Sequence, residues 1–299
     1  MVATLALNSI IQLPSHTSYA GAHASDTDAG HTLGRSMPRI GLGVYQNDDA
    51  KPAVLAALKS GYRHVDTARM YENEKQVGEA VRESGVPREQ VFVTSKVDSK
   101  EHGAVITSKA IDDSLKNLGS GYIDLMLIHS PLSGKEKRLE AWKAFVAARN
   151  EGKVHNIGVS NYGVKHMEEI RVAGLEAPAV NQVEIHPFCQ QKEIVDYSKR
   201  HGIVVEAYSP LVRGNWDDTV VKIGKKYNKD PAQTLIRWSL QHGRVPSRLY
   251  GSSYITCTES YCVQLHPTPE VGRPEAHRLE RERIRLRDQP GRHEDLGRS

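Results

Sequence analysis

With 299 residues, 38% of them hydrophobic, the chain can bury one large core and suits a single barrel domain. A formal net charge of +4 is too small to call for nucleic acid or an anionic membrane as partner, and no apolar run is long enough to span a bilayer. Cys189, Cys257 and Cys262 make no disulfide framework, and the mildly apolar start lacks the basic residues of a secretory signal, so a cytoplasmic location is expected.

Residues 3–13 read as a short strand. Residues 16–35, rich in Ser, Thr, His, Asp, Gly and Ala without periodicity, read as a flexible loop. His16, His23, Asp26, Asp28 and His31 within it match no defined ligand spacing, and no metal is expected. From Met37 onward strand and helix patterns alternate. Strands are predicted at 39–45, 61–66, 90–96, 122–129, 154–161, 179–186 and 203–209. Helices are predicted at 50–60, 73–84, 104–118, 137–150, 164–174, 191–201 and 218–227. Asp230-Pro231 opens one more helix, which ends at Gly243. Strict alternation implies a parallel sheet, and this many units imply closure into a barrel. A doubly wound open sheet is the alternative, but no G-x-G-x-x-G follows the first strand.

Three successive strand ends carry Asp66, Lys96 and His129, and Tyr71 lies in the loop just past Asp66. Singly, each has an ordinary reading: a helix cap, a solvated lysine, a core or loop histidine, a surface aromatic. Together they form a proton-donating site at the end of a barrel where chemistry is concentrated. A phenol, with a reference pKa of ~10, needs a cation to stabilise its phenolate. Lys96 supplies that cation, Asp66 holds Lys96 charged and in place, and His129 orients a carbonyl oxygen towards Tyr71.

The motifs run in an order that resembles the aldo-keto reductases over residues 37–243. They are Gly41-Leu42-Gly43-Val44-Tyr45, Asp66-Thr67-Ala68 with Tyr71-Glu72-Asn73-Glu74, Thr94-Ser95-Lys96 and Leu127-Ile128-His129. Further on come Lys153 to Tyr162, Asn181-Gln182-Val183-Glu184 and Glu206-Ala207-Tyr208-Ser209-Pro210-Leu211. The resemblance implies an α/β (β/α)8 TIM barrel, NADPH (NADP) as cofactor and Tyr71 as general acid. It implies reduction of an aldehyde or ketone, a small-molecule carbonyl substrate, by a monomer or weak oligomer. Cofactor contacts are implied for Gly43, Val44, Tyr45 and Asp66. Ser160, Asn161 and Gln182 offer partners for a flat carboxamide, and Tyr208 an aromatic face for the ring. The turn with Ser209, Leu211 and Arg213 is placed to cradle a pyrophosphate. The plainer reading of these residues is an ordinary barrel rim. Trp142 reads as helix packing, and Val97 stands where relatives carry a longer pocket side chain. Other readings of the whole are a nicotinamide-binding barrel without catalysis and an inactive product of a misannotated gene.

Past Gly243 the family pattern stops. The eighth β/α unit is expected to be missing or replaced, leaving residues 1–36 as strand and loop, 37–243 as barrel and 244–299 as an irregular tail. Residues 268–299 hold eight arginines, no lysine and no aromatic residue, whereas the family needs a Lys/Arg clamp for the adenosine 2′-phosphate there. A charged helix over 278–287 binding an acidic partner, and a metal site at Cys257, Cys262 and His266, are two readings. The genetic code offers a third. Shifted by one nucleotide from Pro269, with free third bases, the codons read Pro-Lys-Ser-Val-Ala-Pro-Lys-Arg-Ile-Ala-Ser-Asn-Ala-Asn-Val-Phe-Asp-Phe. That is the family's phosphate clamp and helix end, so the tail reads as the family's C-terminus in a shifted frame.

Overall fold

A computed structural model describes residues 9–14 and 36–249. Two short strands, β1 (Ile10–Ile11) and β2 (Met37–Pro38), pair antiparallel outside the main sheet. The main sheet begins with β3 (Gly41–Gly43), β4 (His64–Asp66), β5 (Phe92–Val97) and β6 (Ile123–Ile128). It continues through β7 (Val154–Ser160), β8 (Val180–Glu184), β9 (Val204–Tyr208) and β10 (Val245–Leu249). These eight strands close into a parallel barrel in chain order, β10 lying between β9 and β3.

The connecting helices are α1 (Ala50–Lys59), α2 (Glu74–Glu83), α3 (Ala104–Leu118) and α4 (Lys135–Asn150). They are followed by α5 (Val164–Val172), α6 (Lys192–Arg200), α7 (Asp218–Lys226) and α8 (Pro231–Gln241). Each forms where the periodicity predicts it, and α8 starts on a capping box between Asp230 and Gln233 with proline in the first turn.

Side-chain alternation sorts the strand residues into two sets. Val65, Val93, Val97, Ile157 and Val159 face outward and belong, with Trp142 and Phe145 of α4, to one buried cluster in the layer between strands and helices. Trp142 is fully buried there, its Nε1 donating to the Glu176 carbonyl at 3.0 Å, as a packing residue should be. The inward set is apolar at the strand starts, where Phe92, Val180, Val204 and Val245 meet Leu13 and Met37 from the antiparallel pair. Towards the strand ends the interior turns polar, with His64, Asp66, Thr94, Lys96, Gln182 and Glu206 all buried. Branched apolar side chains are the usual filling of such barrels. A polar upper half therefore marks the working end.

One expectation is overturned. The sequence predicts no eighth strand, yet Val245–Leu249 pairs with β9 from Val245↔Glu206 to Ser247↔Tyr208 and with β3 from Ser247↔Gly41 to Leu249↔Gly43. The barrel thus runs past Gly243. Pro246 and Ser247 weaken the strand pattern, but the two open edges beside the segment offer complete ladders, and tertiary context outweighs propensity. The expected loop at 16–35, the charged helix at 278–287 and the rest of the tail lie outside the described residues, as does any helix following β10.

Candidate active site

Alternation along β4 and β5 turns Asp66 and Lys96 into the barrel, where they meet. Lys96 is 1% exposed, and its ammonium donates to Asp66 Oδ1 at 2.5 Å and to the Thr67 carbonyl at 2.9 Å. The other carboxylate oxygen of Asp66 accepts from Gln182 Nε2 at 2.7 Å across the barrel. Burial works against the charged form of Lys96, but Asp66, with Tyr71 and Glu206, outweighs it and holds the ammonium above its ordinary range.

Tyr71 ends a short turn of 3-10 helix, Arg69–Tyr71, after which Glu72 takes a left-handed conformation with φ 58°. Its ring lies 4.9 Å from that of Tyr45 and 5.6 Å, edge-on, from that of His129, while the Lys96 nitrogen stands 5.2 Å from the ring centre. Burial pushes the phenol up to about 12, Lys96 pulling it down and Asp66 pushing it further up. Lys96 thus acts in the direction the sequence predicts, but burial is the larger effect, and at rest Tyr71 is a protonated donor. Burial and the Lys96 charge hold His129 down at about 3, so its imidazole is neutral across the physiological range.

Ser160, Asn161, Gln182 and Tyr208 sit together on the ends of β7, β8 and β9. Ser160 Oγ donates to the Gln182 carbonyl at 2.9 Å. Asn161 Nδ2 donates to the His129 carbonyl at 3.0 Å and to Ser160 Oγ at 3.2 Å. Tyr208 donates from its hydroxyl to Asn161 Oδ1 at 3.0 Å. The Asn161 amide, the Ser160 hydroxyl and the Tyr208 ring are joined in one network, with the Gln182 amide beside them bonded to Asp66, a set that suits the flat, polar edge and the faces of a nicotinamide. The turn after β9 has left-handed backbone at Ser209, Val212, Arg213 and Gly214, and the Val212, Gly214 and Asn215 N–H groups donate to carbonyls within the turn. Arg213 is exposed there.

Two predicted contacts, Val44 and Leu211, and the pocket position Val97 are placed differently from expectation. The Val44 side chain is buried in the outer layer, and its backbone N–H and carbonyl are bonded to the Asp66 carbonyl and Asn73 Nδ2. Leu211 packs with Val220, Ala232 and Leu235, so only its backbone reaches the turn. Val97 is fully buried in the outer layer and does not line the barrel mouth, because its parity is opposite to that of Lys96.

The aldo/keto reductase family model matches residues 32–259. The chain belongs to that family. Among its relatives, the glyoxal reductase of Bacillus subtilis (strain 168) is 46% identical over 217 residues, 71% of this chain and 78% of that protein. The 9,11-endoperoxide prostaglandin H2 reductase of Trypanosoma cruzi (strain CL Brener) is 45% identical over 217 residues, 70% of this chain and 76% of that one. A crystal structure of an aldo/keto reductase from Brucella melitensis superposes with a TM-score of 0.70 at 42% identity, covering 73% of this chain and 85% of that one. Like its relatives, this aldo-keto reductase is an oxidoreductase acting on small carbonyl substrates. Among the described residues, no helix is long and apolar enough to cross a membrane.

The residues that hold Tyr71 in place carry no predicted role, although they stand in its motif. Asn73 Nδ2 donates to the Val44 and Asn47 carbonyls at 2.9 and 3.1 Å, and its Oδ1 accepts from Thr67 Oγ1 at 2.7 Å. Glu74 accepts from Ser95 Oγ at 2.6 Å and from Asn117 Nδ2 at 3.0 Å. Together they tie the loop of this reductase to β3, β5 and α3. Replacing Asn73 by Ala leaves buried groups unsatisfied, and a loss of about 2–3 kcal/mol in unfolding free energy is expected by urea titration. A tenfold or larger drop in kcat is expected beside it, because Tyr71 loses its fixed position. Wild-type stability and turnover in Asn73→Ala would show that the loop is held by other contacts.

Proposed function

We propose that the chain reduces aldehydes or ketones to alcohols with NADPH, using Tyr71 as general acid. The observation that carries this reading is the packing of the Tyr71 ring among Lys96, His129 and Tyr45, with Lys96 itself bonded to Asp66. A bound nicotinamide supplies the hydride. Ser160, Asn161 and Gln182 would hold its carboxamide, Tyr208 would offer its ring a stacking face, and the turn at Ser209, Leu211 and Arg213 would take the pyrophosphate. Gly43 and Tyr45 line the first strand end beside it. The neutral His129 imidazole donates to the carbonyl oxygen of the substrate and points it at the Tyr71 hydroxyl. As negative charge grows on that oxygen, Tyr71 gives up its proton, and the Lys96 ammonium stabilises the phenolate left behind.

The relative named glyoxal reductase makes small reactive carbonyls the first substrates to try. NADPH consumption should be measured with glyoxal, methylglyoxal, aromatic aldehydes and simple ketones, with the alcohol product identified. Turnover on at least one class is expected. Tight NADPH binding with no turnover across the panel would instead favour a barrel that binds nicotinamide without catalysis.

A further inference from the structure

Below the candidate site, two residues before Tyr208 on β9, lies a carboxyl group with no part in the proton transfer above. Glu206 is fully buried and level with Gln182 on one side and Val245 on the other. Neither of its carboxyl oxygens has a hydrogen-bond partner among the described residues. The groups facing it are His64 and Asp66 from β4, Lys96 from β5 and the neutral Gln182 from β8. Beside it on β10 the inward positions are Val245 and Ser247, which carry no charge.

The charges do not balance. His64 Nε2 is 3.9 Å from Glu206 Oε1, but that nitrogen is hydrogen-bonded to Thr94 Oγ1 at 3.0 Å, and burial holds the imidazole at about 4, hence neutral. Among the described residues, Lys96 is the cation whose charge reaches Glu206, and its ammonium is already engaged by Asp66 and Thr67. Two carboxyls thus share one cation in a space closed to water. Asp66 is bonded to both Lys96 and Gln182, so Glu206 is left as the neutral acid.

Building on the reductase reading above, we propose that Glu206 is a positioning residue whose neutral form leaves the Lys96 charge directed at Tyr71, and whose ionisation shuts the site down at alkaline pH. Burial, with the Asp66 charge, pushes the Glu206 carboxyl up to about 8, against the opposing pull of the Lys96 charge. Below that pH the group is uncharged. Above it, the proton leaves to solvent and a second negative charge stands beside Lys96. The new charge offsets the ammonium's effect on Tyr71, the phenolate is disfavoured, and proton transfer to the carbonyl oxygen slows. Tyr71 and His129 titrate far from this window, near 12 and 3, so a limb in the rate profile around 8 belongs to neither.

The test is the pH dependence of kcat for NADPH-driven carbonyl reduction by wild type, Glu206→Gln and Glu206→Leu. The leucine variant fills the same space without a polar group, should the amide fold poorly. Wild-type kcat is expected to fall roughly tenfold as pH rises through the Glu206 midpoint, and both variants are expected to lose that limb. Infrared difference spectra of the protein without substrate should show a buried carboxylic-acid carbonyl band that disappears through the same midpoint and is absent from Glu206→Gln. Rate profiles of the same shape in all three proteins, or a band that persists in Glu206→Gln, would overturn the proposal. A titrating band in a chain that reduces no carbonyl would mean that the reductase reading has failed and the role of Glu206 with it. Turnover without the limb sinks the Glu206 role alone.

Discussion

Tyr71→Phe is expected to lower kcat for carbonyl reduction by about 10²–10⁴-fold, the usual worth of a placed general acid. The substitution keeps the ring that packs against Tyr45 and His129 and removes only the hydroxyl. NADPH binding should therefore stay within a fewfold of wild type, since the carboxamide network of Ser160, Asn161 and Gln182 is untouched. With the phenol at about 12, Tyr71 stays protonated over the working range, and its own alkaline limb lies above that range. Lys96→Met should approach the phenylalanine variant in kcat, because it removes the positive charge that favours the phenolate, although it also leaves Asp66 buried without its cation. Steady-state kinetics with cofactor titrations separate the two effects. Turnover by Tyr71→Phe within threefold of wild type would refute Tyr71 as the acid.

Much of this arrangement is legible in the sequence, and the reasons are physical. Asp66, Lys96 and His129 stand at the ends of three consecutive strand patterns, and barrel closure brings such ends together whatever the helices do. The outward turn of Val97 is written there too. It follows Lys96 directly, and a strand cannot point neighbouring side chains to the same face. The same parity, counted back from Tyr208, puts Glu206 inside the barrel, a place where an acid needs an explanation. What the pattern does not convey is the eighth strand. Five residues that include Pro246 and Ser247 carry little strand signal, and only the edges of β3 and β9 make them a strand. Nor does it show that Asn73 and Glu74 fix the Tyr71 loop, because their partners, among them Val44, Asn47, Ser95 and Asn117, are set by how β3, β5 and α3 come together.

A variant whose residues from 269 onward follow the shifted frame is expected to prefer NADPH over NADH by about a hundredfold, against less than tenfold for the present chain. The two cofactors differ only in the adenosine 2′-phosphate, so the ratio of their dissociation constants isolates whatever binds that group. The shifted frame introduces Lys-Ser and Lys-Arg where the resemblance places the phosphate clamp, and each charge-assisted hydrogen bond contributes about 1.5–3 kcal/mol. Two at the lower figure give the expected ratio. In the chain as it stands, Arg213 is the exposed cation of the turn after β9, assigned to the pyrophosphate that both cofactors share. A single arginine on that shared group cannot distinguish them. Nicotinamide binding itself should be similar in both proteins, because Ser160, Asn161, Gln182 and Tyr208 are the same and β10 already closes the barrel. The measurement is fluorescence titration of each protein with each cofactor, repeated at raised salt, where the rebuilt chain's preference should shrink as the phosphate contacts are screened. If the present chain already separates NADPH from NADH a hundredfold, its own residues supply the clamp, and the shifted-frame reading of the tail is wrong.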